Sequence, residues 1–76
     1  MIIIAGTIDF KDNETRDLAV DQSRALQEAT RRDEAGCEAY YFGPDPFDGH
    51  RIQVYELWAD EPSLDAHFQH RNYRSM

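Results

Sequence analysis

An α+β fold in one domain is predicted, on two observations. Runs rich in β-branched and aromatic residues alternate with stretches of helix formers, and their order is strand, helix, strand, strand, helix. The chain has 76 residues, enough for one domain over residues 1–76.

Residues 1–10 read as the first strand. Ile2, Ile3, Ile4 and Ile8 are β-branched, and nothing before Gly6 breaks the run. Ile2, Ile4, Ile8 and Phe10 share one face with Gly6, which reads either as a bulge or close approach or as a plain packing gap. Asp12 or Asn13 then caps a helix over residues 14–33, where no Pro or Gly intervenes. Its narrow apolar stripe runs through Leu18, Ala25 and Ala29 with Leu26 beside them, which suits a helix lying flat on a sheet. Arg31 and Arg32 favour the negative end of the helix dipole, and Gly36 is the left-handed stop.

Residues 37–42 read as a second strand carrying Tyr40, Tyr41 and Phe42 in succession. A turn segment follows, with Asp48-Gly49 as its hairpin signal. The third strand, residues 51–58, places Ile52, Val54, Glu56 and Trp58 on one face and Arg51, Gln53, Tyr55 and Leu57 on the other. Asp60 caps the last helix, Pro62 sits in its first turn, Leu64 and Phe68 share a face, and Asn72 ends it. This order matches the split β-α-β topology of the ferredoxin-like fold with an antiparallel sheet, but a fourth and last strand is missing from the chain. The two helices can cover one sheet face. The opposite face, expected to carry aliphatics and Trp58, predicts a face-to-face homodimer.

Composition excludes several roles. Fifteen acidic residues against eight basic ones give a charge of −7. Such a surface repels phosphate backbones and anionic lipid, so neither nucleic acid nor membrane is an expected partner. Hydrophobic residues make up 41%, too many for a disordered acidic tail. A chain this small buries only about 60% of its unfolded surface, so a shared core helps it. The lone Cys37 forms no internal disulfide, which fits a reducing, cytoplasmic setting or no redox role. It follows a helix C-terminus, where a thiolate is disfavoured, and reads as a small core residue.

The C-terminal third holds the most informative residues: Glu56, Trp58, Leu64 and His67 in the passage Tyr55-Glu56-Leu57-Trp58-Ala59-Asp60-Glu61-Pro62-Ser63-Leu64-Asp65-Ala66-His67. Together with Gly6-Thr7-Ile8 and Glu34-Ala35-Gly36-Cys37-Glu38-Ala39-Tyr40, it resembles the antibiotic biosynthesis monooxygenase (ABM) family, quinol monooxygenase-like members included. Glu-x-Trp, an acidic helix start and Leu-x-x-His recur in order and spacing. The resemblance implies a dimeric α+β barrel with a cavity between sheet and helices. It also implies oxidation of a phenolic or quinol compound by O2 without added cofactor, haem degradation, isomerisation, or no reaction. Family members continue into another short helix and a last strand, so the intact gene product is expected to be longer. The haem-degrading branch uses an asparagine on the first strand; none stands here, and haem degradation is not expected.

His67 is the candidate catalytic residue, a base that accepts or holds a phenolic proton; its plainer role is a structural histidine bonding a backbone carbonyl. Trp58, Tyr41 and Glu56 are the candidate substrate-binding residues. Trp58 offers a flat wall, or ordinary dimer-core packing. Glu56 is a carboxylate on an apolar face, an acid or base if buried, or else a brace of strand geometry through a salt bridge or hydrogen bond, such as one to an arginine. A hydroxyl of the aromatic triplet could orient a polar substrate, although each ring is also good sheet material. Arg71 and Arg74 with Asn72 could hold an anion or simply solvate the tail. His67-x-x-His70 could chelate a metal with His50 or a carboxylate, but the resemblance supports none, so neither metal nor cofactor is expected. The leading function is a small oxygenase using O2 on an aromatic substrate. A non-catalytic dimeric module that binds a small molecule, and a cofactor-free isomerase, are the alternatives.

Overall fold

The β-branched N-terminal run forms β1 (Ile2–Asp9), and Asp12 starts the long α1 (Asn13–Asp33) by accepting from the Thr15 N–H at 2.7 Å. β2 (Cys37–Pro44) and β3 (Arg51–Trp58) make a hairpin, followed by α2 (Glu61–Gln69) and the short α3 (Arg71–Arg74). The computed structural model describes residues 1–74, except the side chains of Asn72 and Arg74. The suggested anion site on Arg71, Asn72 and Arg74 therefore falls largely outside the described residues.

The three strands form one antiparallel sheet in the order β1-β3-β2. Register pairs Ile2 with Trp58, Ile4 with Glu56, Gly6 with Val54 and Ile8 with Ile52 on one side of β3. On the other side Tyr40 lies opposite Glu56 and Phe42 opposite Val54. Period-two alternation puts all of these on one face, and Tyr40, Ile52 and Trp58 are buried there. This is the expected α+β, ferredoxin-like arrangement with an open three-stranded sheet.

Several details differ from expectation. Trp58 lies on the helix-covered face and is 0% exposed; the open face carries Ile3, Tyr41, Tyr55 and Leu57 instead. Pairing with Ile2 fixes its side, and the same parity sends Tyr55 and Leu57 outward. Gly6 makes no bulge and, among the described residues, no close approach, since a Cβ there would meet none of them within 4 Å. The bulge falls in β2, between Cys37 and Ala39. The helix face is rotated: Leu18 is 56% exposed and Ala25 is exposed, whereas Arg16, Ala19, Ser23, Leu26, Gln27 and Thr30 line the sheet side. Arg16 and Gln27 occupy this face because their heads bond backbone across the fold, whereas the buried Thr30 hydroxyl has no hydrogen-bond partner among the described residues. Arg16 Nη1 donates to the carbonyls of Asp48 and Arg51 at 3.3 and 3.0 Å, tying the hairpin loop to α1. Asp60 caps α2 through the Ser63 N–H at 2.9 Å, but the helix ends at Gln69 with His70 as its cap, short of Asn72. Gly36 takes φ 83° in the turn after α1, where any Cβ would strike the Ser63 side chain.

The hairpin loop is held by Asp45. Its Oδ1 accepts from the N–H groups of Phe47 and Asp48 at 2.8 and 2.9 Å, and its Oδ2 from Gln53 at 2.7 Å. The Gln53 bond first, then the two backbone bonds, hold its carboxyl at about 2, below its ordinary 3.8. A depressed carboxyl stabilises the fold fully above its unfolded pKa and loses that contribution as pH falls through the folded one. Loss of stability is therefore expected between about pH 3.8 and 2, and Asp45→Asn should flatten that limb in urea titrations. Wild-type and variant acid limbs of equal slope would count against this role.

Candidate functional site

Three elements bring the site together. The turn after α1 supplies Glu34, the end of β3 supplies Glu56 and Trp58, and α2 supplies His67. Asp60 caps α2 immediately after β3, so the helix folds back along the sheet and His67 lands on Trp58, with ring centroids 4.7 Å apart and planes inclined by 37°. Tyr40 closes on His67 edge-on at 5.4 Å, and Tyr73 from α3 does the same at 5.2 Å.

His67 is buried, with its side chain 2% exposed, and its Nδ1–H donates to Glu34 Oε1 at 2.6 Å. The Glu34 side chain is 4% exposed, so two polar groups far apart in sequence satisfy each other in the interior. A carboxylate on Nδ1 fixes the imidazole plane and leaves Nε2 as the acceptor of the neutral ring. His70 Nδ1 lies 3.8 Å from Glu34 Oε2, so both histidines of the His67-x-x-His70 pair turn to one carboxylate. His50 sits before the far end of β3, about 25 Å away along that strand. Among the described residues no group of three His, Cys, Asp or Glu is arranged to hold a metal ion.

Among the described residues Glu56 bonds neither an arginine nor a backbone group; its Oε1 accepts from the Trp58 indole N–H at 3.0 Å. It braces the ring on which His67 rests. Burial first, then the nearby Glu56 and Glu34 carboxylates, push the Tyr40 hydroxyl far above its ordinary pKa. Burial likewise raises the Cys37 thiol, which suits a packing residue rather than a nucleophile. Tyr41 stands apart from the others. It lies on the open sheet face and lays its ring over Gly43.

Two hollows flank this cluster. A cleft of about 310 Å³ lies between α2 and the turn after α1, lined by Glu34, His67 and His70 with Asp60 and Ser63. A larger one, about 500 Å³, lies between α1 and the other end of the sheet, lined by Phe10, Leu26, Phe42 and Ile52 with Gln22 and Ser23. Among the described residues no titratable side chain lines the second hollow. Six residue steps along β3 separate Ile52 from Trp58, about 20 Å. A small molecule in the apolar hollow is thus out of reach of His67, although the rings of Phe42, Tyr40 and His67 run between the two.

Glu34 was the residue least visible as a site member. It stood in the Glu34-Ala35-Gly36-Cys37 passage, whose only local signal was a carboxylate beside a glycine turn.

A three-stranded antiparallel sheet with helices on one face defines the class: a ferredoxin-like α+β domain. The antibiotic biosynthesis monooxygenase family profile matches residues 1–76, and the chain belongs to that family. A Deinococcus radiodurans protein described as a candidate antibiotic biosynthesis monooxygenase superposes with TM-score 0.84 at 21% identity, over 99% of this chain and 72% of that one. A Pseudomonas aeruginosa protein is 31% identical, with TM-score 0.69, over 96% of this chain and 71% of its own. A Bacteroides thetaiotaomicron protein of unknown function has TM-score 0.78 at 18% identity, over 96% and 74% of the two chains. No curated protein matches the chain. Among the described residues no helix is long and apolar enough to cross a membrane.

Proposed function

We propose that this chain is a cofactor-independent monooxygenase that oxidises a small phenolic or quinol compound with O2. The observation that carries the reading is the buried His67–Glu34 pair at the rim of a cleft. A carboxylate that holds Nδ1 orients the imidazole as a general base, the arrangement a phenol needs to lose its proton. The resulting phenolate gives an electron to O2 more readily than the phenol. Radical recombination forms the carbon–oxygen bond. The O–O bond of the resulting peroxide breaks as the same carbon loses its hydrogen, so one oxygen atom stays on the substrate as a carbonyl and the other leaves as water with that proton and the phenolic one. The substrate supplies the electrons, so no reductant enters. Trp58 and Glu56 act as positioning residues behind His67. The open face bearing Tyr41 and Tyr55 supports assembly as a homodimer, and the single cysteine supports a cytoplasmic setting.

The second reading is a binding module. It is favoured by the apolar hollow at Phe42 and Ile52, which suits an aromatic ligand and offers it no base. An isomerase would use the same His67 without oxygen. Oxygen uptake with hydroquinones and anthrone-like phenols, with no flavin, metal or haem added, separates the three. Uptake that requires substrate and collapses in His67→Ala is expected. Ligand binding without uptake, insensitive to His67→Ala and lost in a Leu26→Trp variant that fills the apolar hollow, would replace the oxygenase with the binding module. A product of unchanged mass would indicate the isomerase.

A further inference from the structure

The cleft beside His67 is small and its walls are fixed. Its volume of about 310 Å³ stands at the low end for a small-molecule site, about 300–1,000 Å³. One wall is α2, which Asp60 caps through the Ser63 N–H at 2.9 Å. The other is the turn after α1, tied to the end of β3 by the Ala59 N–H, which donates to the Gly36 carbonyl at 2.8 Å. Gly36 lies so close to α2 that a Cβ on it would strike the Ser63 Oγ. The two walls therefore meet with no slack for a larger ligand. A single aromatic ring suits this space, and three fused rings do not.

The lining is one-sided in charge. Asp33, Glu34 and Asp60 border the cleft with His67 and His70, and among the described residues no lysine or arginine does. Glu34 is engaged by His67 at 2.6 Å. Asp33 is engaged by Arg32, whose Nε and Nη2 donate to its two oxygens at 2.8 and 3.2 Å. That guanidinium lines a separate hollow on α1 with Arg24 and Arg31. Asp60 differs. Its hydrogen bonds come from the neutral Ser63, and the Met1 amino group acts on it only through space. The Ser63 bonds hold its carboxyl below the ordinary 3.8, so it is ionised throughout the neutral range.

We propose that the cleft takes a single-ring phenol with no negative charge, preferring one that carries an ammonium group, and that Asp60 sets this preference. The inference rests on the His67 cleft as the reaction site and names the substrate class for it. A carboxylate about 6 Å from a ligand charge changes affinity about threefold in water, by attraction or by repulsion. One such group therefore separates a cation from an anion about tenfold, and salt screens the difference. The two duties of Asp60 can be parted, because an asparagine keeps the helix cap and removes the charge.

Ligand titrations under nitrogen on the 76-residue chain test it, with the His67 and His70 ring protons followed by NMR. Those signals report on the cleft, since Ile52 in the apolar hollow lies about 20 Å along β3 from Trp58. The probes are hydroquinone, aminomethylhydroquinone, its carboxylated counterpart gentisate, and an anthrone of three fused rings. At low salt the amine is expected to bind at least about tenfold tighter than gentisate, with hydroquinone between them. The anthrone is expected to leave the His67 signal in place. Asp60→Asn should narrow the amine-to-gentisate ratio about tenfold; Asp60→Ser, also a good cap, serves if the first variant misfolds. Asp21→Asn removes the same charge from α1, about 18 Å along the helix from Asp33, and should leave the ratio in place. Equal binding of amine and gentisate, a ratio unchanged in Asp60→Asn, or a His67 shift with the anthrone would overturn the inference, as would no shift with any probe. Oxygen uptake measured in parallel keeps the two readings apart. No uptake from probes that bind in the expected order removes the oxygenase and leaves the selectivity. Equal uptake with gentisate and with the amine removes the selectivity and leaves the oxygenase.

Discussion

Trp58→Ala is expected to remove a large share of the stability of this domain. The ring is 0% exposed, packs on His67 at 4.7 Å and meets Tyr40 at 6.3 Å. Truncating a buried aromatic costs about 3–5 kcal/mol. A chain of this length has only about 4–11 kcal/mol to lose. The substitution also strips the Glu56 carboxylate of the indole N–H that it accepts at 3.0 Å. Trp58→Phe keeps much of the packing and lacks the donor, so its loss should be smaller, about 1–3 kcal/mol. Urea unfolding, with both midpoint and slope recorded, reads the series. A Trp58→Ala midpoint equal to that of the wild type would show that the core is organised around other residues.

The second large effect is expected at Glu34, where two substitutions should part company. Glu34→Ala leaves the buried His67 Nδ1–H without its acceptor, a loss of about 1–3 kcal/mol for an unsatisfied group. Glu34→Gln keeps a side-chain oxygen within reach and should melt close to the wild type. Under the oxygenase reading, Glu34→Gln still lowers kcat, because an amide cannot stabilise the imidazolium that forms when His67 takes the proton. General-base catalysis contributes about 10²–10⁴-fold in total, and the loss should fall within that range with KM little changed. A merely structural Glu34 would instead lower thermal stability in Glu34→Ala alone and leave kcat per folded molecule unaltered in both variants. Thermal melts beside oxygen uptake distinguish the two.

The parts legible in the sequence were those set by near neighbours. Asp12 and Asp60 cap their helices through N–H groups three residues on, as their side-chain chemistry requires. The β-branched run of β1, the period-two pattern of β3 and the left-handed Gly36 also follow from local preference. The helix face was less legible. Arg16, Gln27 and Arg31 turn toward the sheet because carbonyl and N–H groups of β2 and the hairpin loop await them. A stripe defined by apolar residues through Leu18 and Ala25 misses such polar anchors.

At the candidate site, His67, Trp58 and Glu56 stood out as residue types in an informative order. Their roles toward one another did not. Glu34 and His67 are 33 positions apart, and only the fold of α2 over the end of β3 makes them a pair at 2.6 Å. Tyr41 and Tyr40 are adjacent in sequence, yet strand alternation sends one to the open face and the other into the His67 cluster. The sequence by itself determined the element order, the helix starts and the candidate residue types, because capping, propensity and alternation act over a few residues. Only the tertiary structure decided which face Trp58 occupies and which carboxylate holds His67. Each of these depends on sheet register and on side chains that reach backbone groups across the fold.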